Sequence, residues 1–266
     1  MTSGATVSLH GVWGSSPSDV FAVGDYGFIL HYDGSAWSAM ISGTNNWLYD
    51  VWGSSPSDVF AVGDSGFILH YDGSVWSAVS SSATVSLHGV WGSSPSDVFA
   101  VGDYGFILHY DGSVWSAMSS STTNGLSDVW SSSPSDVFAV GAGGTILHYD
   151  GSTWSAMSSG TTAWLLGVWG SSPSNVFAVG AGGTILHYDG SAWSAVTTGA
   201  TVSLNGVWGS SSSDAFAVGD YGFILHYDGS AWSAMSSGTI NLLSGVWGSS
   251  PSNVFAVGAG GTILHY

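Results

Sequence analysis

The stretch GVWGSSPSDVFAVGDYGFILHYDGSAWSAM, residues 11–40, decides the fold because the chain consists of successive copies of it. The tryptophan near its start recurs every 39 residues, with no insertion or deletion between copies. A strict period of about 40 residues, with four strand-like runs in each unit, is typical of a β-propeller in which each unit forms one blade. The recurring residues are Trp13, Trp52, Trp91, Trp130, Trp169, Trp208 and Trp247.

Four runs of strand-forming residues lie in the first unit, at 7–13, 19–23, 28–32 and 37–40. Turn-forming residues separate them: Gly-Ser-Ser-Pro-Ser at 14–18, Gly-Asp-Tyr-Gly at 24–27 and Asp-Gly-Ser at 33–35. Both alternating faces of the third run are apolar, so each blade must be covered on both sides. We therefore predict an all-β, seven-bladed propeller of four-stranded antiparallel blades, with the last blade incomplete.

The unbroken period leaves no place for a domain boundary, so residues 1–266 are predicted to form a single propeller. The seventh unit ends at Tyr266 and does not contain a counterpart of residues 33–39. Met1 falls in register with Met40, at the end of a fourth strand. The units are 1–39, 40–78, 79–117, 118–156, 157–195, 196–234 and 235–266.

Two interpretations of the chain ends stay open. Either the ring closes with a seventh blade of three strands plus a stub from residues 1–4, or the chain is a portion of a longer array. Both leave the third strand of the last unit as an exposed edge with about five backbone hydrogen bonds unmade. This edge is a candidate site of self-association, with Leu264, His265 and Tyr266 as its residues.

The charge excludes two classes of partner. The chain has no Lys or Arg and a formal charge of −17, and it stays negative even if all nine His are protonated. Nucleic acids and anionic membrane surfaces are bound mainly through Lys and Arg, so neither is an expected partner. No apolar run approaches the roughly 18 residues of a membrane span, so membrane insertion is not expected. We expect an extracellular or cell-surface protein, although the printed residues contain no signal peptide.

Residues 24–37, GDYGFILHYDGSAW, resemble the repeats of bacterial Asp-box-type propellers, including the Ycf48-like photosystem assembly group. The resemblance implies a propeller with a structural, non-catalytic turn between the third and fourth strands. Sialidases with such turns bind substrate through arginines, and the Ycf48-like group is thought to use a basic patch. This chain has neither Arg nor Lys, so those functions do not transfer. The matching turns are at Asp33, Asp72, Asp111, Asp150, Asp189 and Asp228, followed by Trp37, Trp76, Trp115, Trp154, Trp193 and Trp232.

Recurring His and Asp residues raise the question of a metal site. The His-Tyr pair that begins at His31 occurs once per unit, and equivalent positions of a propeller lie too far apart to share one ion at bond lengths near 2 Å. We therefore predict that each His is bonded to a neighbouring turn or hydroxyl, and that the chain holds no metal or cofactor. Asp19 and its counterparts are interpreted as Asx-turn formers, because Asn175 and Asn253 replace them. Calcium at these turns is the alternative.

Catalytic motifs are absent from the sequence: there is no G-x-S-x-G, no phosphate-binding loop with its Lys, no H-E-x-x-H and no Cys. A Ser-His-Asp set could be assembled, but an active site is asymmetric, whereas nearly every polar residue here occurs six or seven times. We predict that the protein is not an enzyme.

The copies differ mainly in the connection after the fourth strand and in the hairpin between the second and third strands. That hairpin has an Asp form in units 1, 2, 3 and 6 and an Ala-Gly-Gly-Thr form in units 4, 5 and 7. Both connections are predicted to lie at the same end of the propeller. The variation indicates either a recognition surface or drift among recent copies. The candidate ligand-binding residues are Tyr26, Trp47, Tyr49, Tyr104, Trp164 and Tyr221, although Trp47 and Trp164 are alternatively strand residues covering a blade.

The predicted function is a non-enzymatic module that recognises a glycan or a protein through this variable surface, where aromatic rings lie among Ser, Thr and Asn. The alternative is a structural scaffold that self-assembles through the open edge or belongs to a longer array. An engineered repeat chain is a third hypothesis.

Overall fold

Seven antiparallel sheets form the blades of a propeller in the computed structural model, which describes residues 4–266. Blades 1 to 6 each contain four strands in sequential order, and blade 7 contains three. The first strand of each blade lies innermost, and the first strand of blade 1 packs beside the first strand of blade 7, so the ring closes. The predicted fold class is confirmed.

The strand bounds repeat from blade to blade with little change. Blades 1 to 3 contain β1 Leu9–Ser16, β2 Asp19–Gly24, β3 Ile29–Tyr32, β4 Trp37–Met40, β5 Leu48–Ser55, β6 Asp58–Gly63, β7 Ile68–Tyr71, β8 Trp76–Val79, β9 Leu87–Ser94, β10 Asp97–Gly102, β11 Ile107–Tyr110 and β12 Trp115–Met118. Blades 4 and 5 contain β13 Leu126–Ser133, β14 Asp136–Gly141, β15 Ile146–Tyr149, β16 Trp154–Met157, β17 Leu165–Ser172, β18 Asn175–Gly180, β19 Thr184–Tyr188 and β20 Trp193–Ala195. Blades 6 and 7 contain β21 Leu204–Ser211, β22 Asp214–Gly219, β23 Ile224–Tyr227, β24 Trp232–Met235, β25 Leu243–Ser250, β26 Asn253–Gly258 and β27 Thr262–His265.

One short turn of 3-10 type joins the second and third strands of every blade. Its middle residue has a positive φ, which glycine adopts without strain and tyrosine does not. The turns are Asp25–Gly27, Asp64–Gly66, Asp103–Gly105, Ala142–Gly144, Ala181–Gly183, Asp220–Gly222 and Ala259–Gly261.

The core lies between neighbouring blades, because the second and third strands are buried on both faces. Val20, Phe21 and Ile29 are all almost completely inaccessible to solvent. Alternating side chains therefore pack against different blades, as the two-sided apolar pattern predicts.

The first strand runs further than its sequence suggests. β1 continues through Gly14 to Ser16, and Ser16 pairs with Asp19, so the turn consists of Pro17 and Ser18 alone. Residue 14 is not a turn residue but lies under a tryptophan: a Cβ built there would come within 2.7 Å of the Trp247 ring of the preceding blade. The prediction that the turn begins at Gly14 is wrong for this reason.

The recurring His of the third strand is bonded to an Asp in blades 1 to 4 and 6 and to Asn175 in blade 5, whereas Asn253 Oδ1 of blade 7 has no hydrogen-bond partner among the described residues. In blade 1, His31 Nε2 lies 2.7 Å from Asp19 Oδ1, and Ser15 donates its hydroxyl to the other oxygen of Asp19. The His31 ring also packs on Phe21. The prediction that this His is locked to a neighbouring group is confirmed.

The Asx-turn interpretation of Asp19 is corrected by these contacts, since its carboxylate joins two strands rather than forming a local turn. Where Asn175 replaces Asp, its amide donates to Ser171 Oγ at 2.7 Å and its Oδ1 faces His187 Nε2 at 2.5 Å. The reversed direction of the serine bond is the compensation that allows the exchange.

The Asx turn lies instead at the Asp-Gly-Ser sequence between the third and fourth strands. Asp33 Oδ1 accepts bonds from Ser35 N at 2.8 Å, Ser35 Oγ at 2.7 Å and Ala36 N at 2.9 Å. These bonds lower the pKa of Asp33 to about 2, with the Ala36 bond contributing most. The carboxyl group is thus a structural part of the turn.

The predicted stub of residues 1–4 lies almost entirely outside the described residues. Ala5 corresponds to Thr44 of the next repeat. The carbonyl oxygen of Ala5 lies against Gly261, the turn glycine of blade 7, as the carbonyl oxygen of Thr44 lies against Gly27 of blade 1. No helix in residues 4–266 is long and apolar enough to cross a membrane.

Candidate functional site at the channel mouth

The two variable connections meet at one end of the central channel. The turn between β2 and β3 is tied to the segment before β1 by a bond from Asp25 N to Ser8 O of 3.0 Å. The connection after β4 crosses the same turn, because the Thr44 carbonyl oxygen lies against Gly27. These segments form the surface that we call the channel mouth.

A polar pair at the channel mouth explains why the hairpin occurs in two forms. In blade 2, Tyr49 at the second position of β5 donates its hydroxyl to Asp64 Oδ1 at 2.7 Å. Blades with an Asp at this turn have a side chain that reaches it, whereas blades with Ala have Ser or Leu. The bonded pairs are His10–Asp25, Tyr49–Asp64, His88–Asp103 and Asn205–Asp220, and the other combinations are Ser127 with Ala142, Leu166 with Ala181 and Ser244 with Ala259.

The Ala form has its own bonding. Thr145 donates its hydroxyl to Ala142 O at 2.7 Å and accepts a bond from the amide of Asn124 at 2.8 Å. The same arrangement recurs in blade 7 with Thr262 and Asn241. In blade 5, Thr184 keeps the bond to Ala181 O at 2.8 Å, but Ala163 stands at the Asn position. Each form of the hairpin therefore has hydrogen bonds of its own.

Blades 1 to 3 carry a cluster of rings, which we call the aromatic arc. His10 stacks on Trp47 with ring centroids 6.2 Å apart and lies 5.7 Å from Tyr49. Tyr26 meets Trp47 edge to face at 6.1 Å, and Tyr49 lies 5.1 Å from His88. The five rings are in continuous contact, and the two imidazoles and the Tyr49 phenol are each bonded to an Asp.

The arc is accessible. Tyr26 is 63% exposed and Trp47 is 39% exposed, while the imidazoles are partly covered. Tyr49 contributes a phenol whose pKa is raised by burial and by the neighbouring Asp64, so it stays protonated as a hydrogen-bond donor. The arc thus offers aromatic faces to a ligand beside ordered carboxylates.

The remaining predicted residues separate into two groups. Trp164 lies at the channel, 53% exposed, with its indole N–H donated to Ser127 Oγ at 2.7 Å. Tyr104 and Tyr221 occupy the same turn position as Tyr26, but the residue that corresponds to Trp47 is Gly125 in one case and Leu242 in the other. They project from the surface, about three-quarters exposed, without joining the arc.

The channel and its mouth together enclose about 490 Å³, and Asp50 and Asp128 line this space in addition to Asp103, the partner of His88. Asp50 Oδ2 accepts a bond from Val90 N at 2.9 Å, and Asp128 Oδ2 accepts one from Val168 N at 2.8 Å. Each side chain thus bridges to the next blade.

Enclosure raises the pKa of Asp50 to about 7. It raises that of Asp128 well above its usual range, and the charge of Asp50 adds to the rise. The neighbouring blades carry glycine at this level, because a Cβ on Gly11 would come within 2.7 Å of the Asp50 Cα. The channel therefore has room for an Asp at this level only in blades that are not adjacent, as blades 2 and 4 are not.

Within residues 4–266 no three His, Cys, Asp or Glu side chains come close enough together to hold a metal ion. Ser15 donates to the Asp19 carboxylate rather than to His31, so the repeated Ser, Asp and His do not form the nucleophile–base contact of a catalytic triad.

Sequence reasoning missed His10, His88 and the turn aspartates as members of the site. A pattern that could have found them is the joint variation of residue 10 of each unit with residue 25 of the same unit. The two are 15 positions apart, and only the strand pairing shows that they meet.

No family model matches the chain, and no curated protein matches it. Solved structures do. YCF48 bound to D1 peptide superposes with a TM-score of 0.81 at 17% identity, over 100% of this chain and 95% of that one. YCF48 from Cyanidioschyzon merolae superposes with a TM-score of 0.77 at 16% sequence identity, over 98% of this chain and 96% of that one. The WD40 β-propeller domain of Doa1 superposes with a TM-score of 0.83 at 13% sequence identity, over 99% of this chain and 93% of that one. At these identities the likeness shows the fold alone.

Proposed function

We propose that the chain is a non-enzymatic binding module that holds an extended segment of a partner protein against the channel mouth. The observation that carries the proposal is the aromatic arc: five rings in contact and partly exposed, of which His10, Tyr49 and His88 are each bonded to an Asp. Ordered rings bind with little further loss of side-chain entropy.

The tyrosine at the edge of the arc adds support. Tyr26 has a φ of 58°, where blades 4, 5 and 7 place glycine. A left-handed conformation costs a residue with a Cβ roughly 1–2 kcal/mol. Ser65, Tyr104 and Tyr221 have the same conformation. What distinguishes Tyr26 is that its exposed ring lies beside Trp47.

The charge indicates the ligand's chemistry. The chain has no cationic Lys or Arg and a formal charge of −17, and three carboxylates lie in the arc. A segment with Lys or Arg side chains would be attracted by this field and could place a cation over an indole face. Among the similar structures, the YCF48 chain is bound to a peptide.

A peptide array tests the proposal with two matched variants. Eight-residue peptides with and without Lys or Arg are probed with the unaltered chain, Trp47→Ala and Tyr221→Ala. We expect the basic peptides to bind, at least tenfold loss with Trp47→Ala, and no loss with Tyr221→Ala, which removes a more exposed ring outside the arc. Equal binding to Trp47→Ala would contradict the proposal.

A glycan array run in parallel decides between the two ligand classes. Binding to uncharged glycans with no binding to peptides would replace the protein ligand by a carbohydrate. The scaffold alternative requires copies to associate through blade 7, and sedimentation velocity over a range of concentrations tests it: a monomer throughout excludes that function.

A further inference from the structure

Two exposed tryptophans lie on different sides of the channel mouth. Trp47 and Trp164 occupy the same position in two repeats, each directly before the first strand of its blade. Their main chains are held in the same way, since Asp64 N donates to Trp47 O at 3.0 Å and Ala181 N donates to Trp164 O at 2.8 Å. The rings are 39% and 53% exposed. One precedes blade 2 and the other blade 5, three blades further round a ring of seven, so the channel opening lies between them.

The surroundings of these two tryptophans differ in chemistry. Trp47 belongs to the aromatic arc, in which His10 and Tyr49 are bonded to carboxylates. The hairpins of blades 4 and 5, which correspond to those around Trp47, are of the Ala form and carry no carboxylate. Trp164 also has no aromatic neighbours at the positions that form the arc, where Tyr26, His10 and Tyr49 are replaced by Gly143, Ser127 and Leu166.

Trp164 and Leu166 form a surface that we call the apolar subsite. Trp164 donates its indole N–H to Ser127 Oγ at 2.7 Å, so the orientation of the ring is fixed and its one donor is used. Leu166 occupies the second position of β17, where blade 2 has the hydrogen-bonding Tyr49, and both Trp164 and Leu166 line the channel. A fixed ring face beside an aliphatic side chain favours an apolar group of a ligand.

The carboxyl group of Asp128, which follows Ser127 in the chain, does not turn the apolar subsite into a cation site. Asp128 Oδ1 accepts a bond from Val129 N at 2.8 Å and Oδ2 accepts one from Val168 N at 2.8 Å, so both oxygens are engaged with the main chain. The turn carboxylates are grouped in blades 1 to 3, with one further example in blade 6. Attraction of a cation is therefore strongest on the side of the aromatic arc.

We propose that the channel mouth recognises two side chains of one bound segment of a partner protein. A Lys or Arg lies on the aromatic arc, an aliphatic or aromatic side chain lies on the apolar subsite, and the main chain between them crosses the channel opening. The inference rests on the proposed function, since the same segment occupies the arc. It adds a second recognised residue, of a different chemistry, on the opposite side of the mouth.

The separation of the arc and the apolar subsite determines the spacing of the two ligand side chains. An extended chain advances about 3.3 Å per residue, so each added residue moves the second side chain further from the first. Two contacts made by one chain reinforce each other only when both can form at the same time. The affinity should therefore be highest at one particular number of intervening residues.

The experiment measures the fluorescence anisotropy of labelled peptides that contain one Lys and one Leu, separated by two to seven Gly or Ser residues, in both chain orders. Reference peptides carry Ala, or a second Lys, in place of the Leu. We expect one Leu peptide to bind at least tenfold more tightly than its Ala reference. A second Lys that binds better than Leu would overturn the proposal, because Trp164 would then take a cation.

Three variants of the chain locate the preference for Leu. Trp164→Ala should abolish it and keep the Lys-dependent binding of the Ala reference, which also shows that the variant is folded. Leu166→Ser introduces the residue that blade 4 has at this position and should reduce the preference in part. Leu242→Ala is the matched control, because Leu242 has the same position before blade 7 as Trp164 has before blade 5 and is 41% exposed. It should leave both kinds of binding unchanged.

The outcomes separate this inference from the proposed function. If Lys-dependent binding is present but no spacing favours Leu, or if the preference for Leu persists in Trp164→Ala, the inference is wrong and the proposed function stands. If no Lys peptide binds, or if Trp47→Ala binds the Lys peptides as well as the unaltered chain does, the proposed function is wrong and this inference falls with it.

Discussion

Trp91 donates its indole N–H to the carbonyl oxygen of Ser131 at 3.3 Å, and no other first-strand tryptophan in the described chain has such a bond. Its six counterparts lie over a glycine of the next blade, as Trp13 lies over Gly53. Ser131 occupies the glycine position in blade 4, and a Cβ there lies where the tryptophan ring would pack. Trp91 is accordingly less buried than the other six.

The substitution Ser131→Gly should stabilise the protein. It allows Trp91 to adopt the position of its counterparts and removes a buried hydroxyl that has no hydrogen-bond partner. An unpaired buried hydroxyl costs about 1–3 kcal/mol and the added glycine costs about 0.5–1 kcal/mol, so we expect a net gain of ~1 kcal/mol in the free energy of unfolding. Urea unfolding measures it.

The reverse change in another blade is the control. Gly170→Ser places a Cβ within 2.7 Å of the Trp130 ring, so it should destabilise the protein and expose Trp130. Loss of stability with Ser131→Gly, or a neutral effect of Gly170→Ser, would show that the ring position does not depend on the glycine.

The carboxyls in the channel should make stability fall as the pH rises. The folded chain holds protons on Asp50 up to about pH 7, and on Asp128 above its usual range, whereas the unfolded chain releases them near pH 4. Their contribution is therefore complete below pH 4, and that of Asp50 is lost as the pH rises to about 7. The double variant Asp50→Asn, Asp128→Asn should lose less stability across this interval, by at least about 1 kcal/mol.

Asp189→Asn is the matched control for this pH dependence. Bonds from Ala192 N and the Ser191 hydroxyl lower the pKa of Asp189 to about 2, so its contribution is present above pH 4 and is lost in stronger acid. This variant should leave the slope between pH 5 and 7 unchanged. Chemical unfolding at several pH values gives the slopes, and identical slopes for the chain and the double variant would contradict the assignment.

The bond between Tyr49 and Asp64 should be measurable as a coupling energy. A double-mutant cycle with Tyr49→Phe and Asp64→Ala removes the phenol hydroxyl and the carboxylate separately and together. A partly buried hydrogen bond to a charged group contributes about 1.5–3 kcal/mol, and we expect a coupling near the lower value at this accessible site. Additive effects would show that the pair does not order the channel mouth.

Much of the architecture could be predicted from the sequence, because the strand and turn residues of a blade recur six or seven times along the chain. Trp37–Met40 was located without error, and the alternation in 28–32 indicated two covered faces. The end of β1 could not be predicted, because Gly14 has the composition of a turn residue. Glycine is required at this position instead because the Trp247 ring of another blade lies against it.

The candidate site was predicted only in part. Exposed aromatic residues in the variable loops suggested Trp47, Tyr49 and Trp164, and the structure places Tyr49 and Trp164 in the channel lining and Trp47 in contact with Tyr49. The same criterion selected Tyr104 and Tyr221, which lie outside the arc. The criterion could not separate the two groups, because the difference depends on which residue of the next blade lies beside each tyrosine.

The sequence by itself determined the blade number, the order of the strands and the end of the propeller that varies, because these follow from local periodicity and from the alternation of strand direction. Only the tertiary structure decided which side chains meet. His10 reaches Asp25 across a strand pair, and Phe216 meets Tyr266 of the next blade. Such contacts depend on how the strands and blades pack around a closed ring. The period of the sequence shows which residues occupy equivalent positions, but not which residues of different repeats meet.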